Sequence, residues 1–393
     1  MTLPPVPDHS PLHLPETLKK ALAGVIDPEL RLPITELGMV ESLEQDGEQV
    51  TVRILLTVAA CPLRDTLVSD TEAALLSVPG IEDVRVELGV MSTEQRAALK
   101  EQLRPAHRQG NPFARADSLT QVYAVASGKG GVGKSTVTVN LAAALAARGL
   151  KVGIIDADVY GFSVPALMGL VHDGETTTPT RVDEMILPVV AYGVKVISIG
   201  MFVSGNQAIA WRGPMLHRAL EQFLTDVYFG DLDVLFLDLP PGTGDMAISV
   251  AQLLPSAQLL VVTTPQVAAA DVAERAGAIA ASTGQKIAGV VENMSWLEQP
   301  DGTRLELFGS GGGEAVATRL SATVGTEVAL LGQVPLAVEL REGGDAGRPV
   351  VLSNPQSPAS AALTAVAAQL AARPRGLAGR PLGVSVTPMS VEW

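Results

Sequence analysis

Eight residues, Gly128-Lys129-Gly130-Gly131-Val132-Gly133-Lys134-Ser135, constrain this chain more than any other stretch. They match G-x-x-x-x-G-K-[ST] and lie between a β-branched run, VYAVAS at 122–127, and an Ala-rich stretch that predicts a helix starting near Lys134. The chemistry needs that order. Glycines let the backbone curl so that its N–H groups and the helix N-terminus converge on phosphate oxygens. Lys134 then faces the β and γ charges, and the Ser135 hydroxyl, with Thr136 next to it, is the expected ligand of Mg²⁺.

The chain after Gln121 continues this texture, with short apolar runs separated by Ala-rich segments. Strands are expected at 122–127, 151–156, 194–199, 233–238, 258–264, 286–293 and 327–335, with a last helix at 359–372. This pattern predicts an α/β fold, a P-loop NTPase with a mostly parallel doubly wound sheet over residues 119–372. In such sheets ligands gather at the carboxyl ends of strands, where Asp156, Asp158 and Asp238 stand. Asp238 ends the apolar run VLFLD and reads as a carboxylate offered to the Mg²⁺ shell. For Asp156 and Asp158 a plain helix N-cap is the competing reading.

Residues 15–104 read differently: a helix, a turn at Asp27-Pro28-Glu29-Leu30, a strand alternating through Val50, Val52 and Ile54, a helix after Pro62, and a strand through Val84, Val86 and Leu88. This is a small α+β domain preceding the larger one. Residues 1–14 are a Pro-rich leader, 105–118 a linker with two prolines and no apolar period, and 373–393 a Pro- and Gly-rich tail. The uncharged run Ile248 to Ala270 contains Pro255 and Pro265, and reads as helix, turn and buried strand and not as a membrane span. Lys and Arg number 28 against 42 Asp and Glu, a net charge of −14, which argues against nucleic acid or an anionic membrane as the main partner. With no charged-then-apolar leader, the expected compartment is the cytoplasm.

The extra lysine at 129 gives the loop the form KGGVGKST, and here the sequence resembles the Mrp/ApbC iron-sulfur cluster carrier ATPases, within the class that also holds ParA and MinD. The likeness runs through DADVYGFSVP at 156–165 and DLPPGTGD at 238–245, the two switch motifs, then TTPQVAAADVAER at 263–275, VVENMS at 290–295, LFGSGGG at 307–313 and REGGDAGRPV at 341–350. It implies that Lys129 reaches the phosphates of a partner chain in a homodimer, with a solvated loop lysine as the alternative. It also implies that Asp158 positions the attacking water, that Asp156 supports the metal shell, and that Asn293 meets adenine, making ATP the nucleotide.

Residues 26–30 (IDPEL), 34–40 (ITELGMV) and 55–62 (LLTVAACP) of the small domain resemble the assembly domain fused in front of many such carriers. Its Cys61 is the chain's single cysteine. A strand-to-helix junction favours a thiolate there, while a buried inert cysteine is the other reading. Members of the family typically hold a CxxC pair just after ENMS; Ser295 to Thr303 contains none. A homodimer then offers two thiolates where a cluster takes four, so any iron-sulfur cluster would be labile. Three functions follow: an ATPase delivering clusters to apoprotein clients or scaffold proteins, a nucleotide switch that loads another cofactor or remodels a partner, and a ParA- or MinD-like positioning switch. The acidic balance opposes the last.

Overall fold

The computed structural model describes residues 16–57, 64–103, 110–115, 117–159, 161–182, 184–202, 213–242, 245–266 and 277–373. Cys61, the leader, most of the linker and the tail beyond 373 lie outside them. Two compact units result, one of Met1–Pro112 with Leu170–Asp231, the other of Phe113–Gly169 with Leu232–Trp393.

The first unit opens with α1 (Glu16–Ala23), whose Leu18 and Leu22, one turn apart, point into the core. Strands β1 (Val40–Asp46) and β2 (Gln49–Leu56) are antiparallel, joined by the two-residue turn Gly47-Glu48. Gly47 has φ +61°, the left-handed conformation that such a turn demands at its first position. Helix α2 (Arg64–Leu76) carries the chain back to β3 (Asp83–Val90), which pairs in parallel with β2, and α3 (Thr93–Leu103) follows. Val50, Val52 and Ile54 are fully buried, as their alternation predicts. Strand β1 and α3 escape the periodicity, since β1 buries only Leu43.

The second unit begins with β4 (Gln121–Ser127), buried along its whole length, and α4 (Lys134–Ala147). Next come β5 (Val152–Asp156) and the single turn α5 (Val164–Leu167). The chain then leaves for residues 170–231, which belong to the first unit. This excursion forms three antiparallel ribbons: β6 (Val171–His172) with β7 (Glu175–Thr176), β8 (Thr180–Val182) with β9 (Met185–Leu187), and β10 (Val189–Ala191) with β11 (Val194–Ser198). Helix α6 (Gly213–Thr225) ends it. Ribbons of two or three residues cannot build a core of their own. Val182, Met185, Leu187 and Tyr228 are instead buried in one cluster with Leu18, Leu22, Ile34, Val52 and Leu75.

Back in the second unit, β12 (Val234–Asp238), α7 (Asp245–Leu253), β13 (Gln258–Thr263), β14 (Ile287–Glu298), β15 (Arg304–Leu305), α8 (Gly312–Val324), β16 (Leu330–Leu336), α9 (Val338–Asp345), α10 (Val350–Ser353) and α11 (Pro358–Ala371) complete the fold. The order β5-β12-β4-β13-β14-β16 is parallel throughout, and β15 adds an antiparallel pair to β14. The chain passes from β4 to β5 over the place later taken by β12, so the loops after these strands open a crevice at the sheet's carboxyl edge. Ile248 to Thr263 forms α7, a turn and β13, and no helix among the described residues is long and apolar enough to cross a membrane.

The turn at 27–30 contains two buried carboxylates. Asp27 Oδ1 accepts the backbone N–H groups of Glu29 (3.0 Å) and Leu30 (2.7 Å), and Glu29 Oε1 accepts the Thr180 hydroxyl at 2.8 Å. Burial lifts Glu29 from the ordinary 4.5 to about 6, Asp27's charge adding to the effect and Thr180's hydrogen bond opposing it. The folded chain therefore holds this proton more tightly than the unfolded one. Its stabilisation is complete below about pH 4.5 and lost as pH rises through about 6, on the order of 2 kcal/mol in all. Glu29→Gln, whose amide oxygen still accepts from Thr180, is expected to flatten that decline and to raise the melting temperature at pH 7.5 relative to the wild type; thermal unfolding at pH 5 and 7.5 checks it.

Candidate nucleotide site

The phosphate loop turns twice through left-handed backbone, at Gly131 and Gly133, both with φ +79°. At Gly133 a Cβ would in addition press on the Asn293 side-chain amide, so glycine is favoured there for two reasons. Helix α4 starts at Lys134, directly after this turn, and leaves its first N–H groups facing the loop.

Parallel pairing fixes the acidic side of the site. Asp238 is in register with Asp156 on β5 and with Val125 on β4, so β5 and β12 end level, two residues short of the end of β4. Asp238 is fully buried, and so needs compensation on both oxygens. Its Oδ2 lies 2.7 Å from Lys134 Nζ and accepts the Ser135 hydroxyl at 2.5 Å. Its Oδ1 accepts the Thr138 hydroxyl at 2.8 Å. Thr138 follows Lys134 by one helical turn, the spacing that sets both on one face of α4. No motif flagged it; the signal available was a polar residue one helical turn after the loop lysine.

Asp156 and Asp158, both buried, shape the first switch segment. Asp156 Oδ1 accepts the N–H of Asp158 at 3.1 Å, and Asp158 Oδ1 accepts that of Gly161 at 3.2 Å. These are turn contacts ahead of α5, whose N-cap is Ser163, so neither aspartate caps that helix. The Lys129 ammonium donates to Gln266 Oε1, in the loop after β13.

Asn293 is 2% exposed; its Nδ2 donates to the Val132 carbonyl at 2.9 Å, and its Oδ1 has no partner among the described residues. The pairing of β14 with β16 slips between Asn293 and Leu297, with Met294 at φ +59°, and this irregularity turns Asn293 onto the phosphate loop. Glu292, buried one residue earlier, accepts the Gly313 N–H at 2.6 Å and Gln333 Nε2 at 2.8 Å. The last two glycines of LFGSGGG are explained by close approach: a Cβ at 312 would meet the carbonyls of Thr264 and Pro265, and one at 313 would meet Glu292. Sequence reasoning matched these motifs without seeing that they hold one another. Ser295 to Thr303 forms the end of β14 and a turn closed by Gln299 N–H to the Thr303 carbonyl at 2.9 Å, and the Arg304 guanidinium stacks 4.0 Å from the Trp296 ring.

The donor set suits a magnesium-bound polyphosphate: a lysine ammonium, helix N–H groups, and the hard oxygens of Ser135 and Asp238. Among the described residues no cluster of three or more His, Cys, Asp or Glu could hold a metal by itself, and Cys61 lies outside them. Removing Thr138's hydroxyl strips a donor from a buried carboxylate, which costs about 1–3 kcal/mol. Thr138→Val is expected to weaken Mg²⁺-nucleotide binding about tenfold by titration calorimetry, with the circular dichroism spectrum unchanged.

The chain is similar to several known proteins. The family described as NUBPL iron-transfer P-loop NTPase matches residues 118–371, and the family described as iron-sulfur cluster assembly protein matches residues 15–88. An iron-sulfur cluster carrier protein of Mycobacterium tuberculosis is 60% identical, over 91% of this chain and 93% of its own. The proteins so named from Deinococcus radiodurans and Bacillus subtilis are 43% and 40% identical, over 91% and 82% of this chain and 94% and 88% of theirs. A nucleotide-binding protein in complex with ADP from Archaeoglobus fulgidus is 36% identical over 60% of this chain and 92% of its own, with a TM-score of 0.49. The chain belongs to the iron-transfer P-loop NTPases, with an iron-sulfur cluster assembly domain in front.

Proposed function

We propose that the chain is a cytoplasmic Mg²⁺-dependent ATPase that works as a homodimer and carries iron-sulfur clusters to apoprotein clients. The observation that carries this reading is the convergence of Lys134, Ser135 and Thr138 on the one buried carboxylate of Asp238. Magnesium, when bound, would neutralise phosphate charge, and Ser135 and Asp238 would hold it, with Asp156 behind them. Lys134 faces the γ-phosphate as an ammonium held in place by Asp238. Asp158, near the start of the first switch, orients the attacking water. Asn293, resting on Val132, presents its Oδ1 as the acceptor for the adenine amino group. Lys129 crosses to the partner's phosphates once Gln266 releases it.

The cluster is cargo. One thiolate per chain leaves two per dimer, so a cluster on Cys61 needs an external thiol or a client's cysteine to complete four ligands. Such a cluster is easily passed on. The single cysteine also supports a second reading, an ATPase of this fold that loads another metal or cofactor, or remodels a partner, and carries no cluster.

Two experiments test these readings. Lys134→Ala is expected to abolish nucleotide binding, and Lys129→Ala to keep binding while losing ATP-dependent dimerisation and most turnover; light scattering and phosphate release report both, and a wild type without Mg²⁺-ATP turnover refutes the ATPase reading. Anaerobic reconstitution with iron, sulfide and added thiol is expected to load substoichiometric, chelator-sensitive iron on the wild type and none on Cys61→Ser. Equal loading of the two, or none on the wild type, transfers the conclusion to the second reading.

A further inference from the structure

The IDPEL motif at 26–30 takes no part in the nucleotide site, yet it contains two buried carboxylates, Asp27 and Glu29. Their contacts are of two kinds. Asp27 turns inward: its Oδ1 closes the turn by accepting the N–H groups of Glu29 and Leu30. That turn aims Glu29 outward at residues 170–231, where Thr180 on β8 donates to Oε1 at 2.8 Å. Lys195 on β11 adds a positive charge felt by Asp27. Its Nζ donates to the Phe229 carbonyl at 3.1 Å and lies 5.5 Å from the Tyr228 ring, which holds it at this joint. Around the polar contacts, Val182, Met185, Leu187 and Tyr228 share the apolar core of the small domain.

Residues 170–231 occupy a particular place in the chain. They begin with Leu170, soon after Pro165 closes the first switch motif, and they end at Asp231, just before β12 runs through Val234 to Asp238. The segment is thus the covalent connection between the two switches. Anything packed rigidly on it is attached to both by short lengths of chain. A motion at either switch then has a mechanical route into the segment, and the buried core leaves little slack in what the segment carries.

We propose that the Ile26–Leu30 loop is the docking element that clamps the assembly-type domain onto the segment joining the two switches, so that the domain bearing Cys61 responds to the nucleotide state. Its ligand is internal, the Thr180 hydroxyl with Lys195 in support. The loop is therefore a positioning device. It gives the ATPase a way to govern cluster release without a cysteine in its own domain. The inference rests on the ATPase reading above.

Amide hydrogen exchange on the full-length protein, with and without a non-hydrolysable ATP analogue and Mg²⁺, tests it. In the wild type, nucleotide is expected to protect residues 128–140 and also to change exchange at 25–34 and 180–187. Thr180→Val is expected to speed exchange at 25–34 about five- to tenfold, the loss of one buried hydrogen bond, and to erase the nucleotide response there while protection at 128–140 persists. Glu29→Ala should behave in the same way, and Glu29→Gln should keep the response. Protection at 128–140 with an unresponsive 25–34 loop in the wild type overturns the coupling and leaves the ATPase reading standing, as does a full response in both Thr180→Val and Glu29→Ala. No protection at 128–140 in the wild type overturns the ATPase reading and the coupling together.

Discussion

The site turns on a single buried carboxylate. Asp238 has no solvent exposure, and its two oxygens are answered by an ammonium and two hydroxyls, all from the first turns of α4. An ion pair this deep gains its Coulomb energy only if every remaining lone pair is also met, and removing one partner leaves an uncompensated charge that costs about 3–5 kcal/mol. The arrangement therefore locks β12 to α4. Because β12 lies between β4 and β5, it also fixes the phosphate loop that follows β4 and the first switch that follows β5. Strand order and helix start are thus tied to one contact.

A second ring of contacts braces the first. Glu292 meets the N-terminus of α8 and Gln333 on β16, and Asn293 beside it rests on the phosphate loop. Glycine at 312 lets α8 approach the TTPQ loop, whose Gln266 holds Lys129, and glycine at 313 lets it approach Glu292. Motifs scattered between residues 128 and 333 become one object here. The Arg304 guanidinium on β15 packs over the Trp296 ring on β14, and the chain's sole thiol belongs to the small domain. The thiol and the phosphate loop thus lie in different parts of the sequence. A coupling between them has to run through packing, and the shared core of the first unit provides packing of that kind.

Much was legible from residue order alone. The phosphate loop demands a strand before it and a helix after it, and β4 and α4 stand there; the apolar runs ending in Asp156 and Asp238 are buried parallel strands. Alternation found β2 because one face of that strand is buried and the other is not. It failed for β1, which buries one leucine, and for the short ribbons of 170–191, which are too brief for any period to register.

What the sequence by itself determined is the chemistry and the fold class, since a Gly-rich loop, a lysine, a hydroxyl and strand-terminal aspartates at those spacings suit phosphate and magnesium and little else. Only the tertiary structure decided which residues serve one another. Thr138 is 100 residues from the Asp238 it supports, Asn293 is 161 from Val132, and Thr180 is 151 from Glu29. The physical reason is the same in each case. A buried polar group must find a partner, and which partner it finds depends on strand order and on how segments are shared between the two units, neither of which is written in any local pattern.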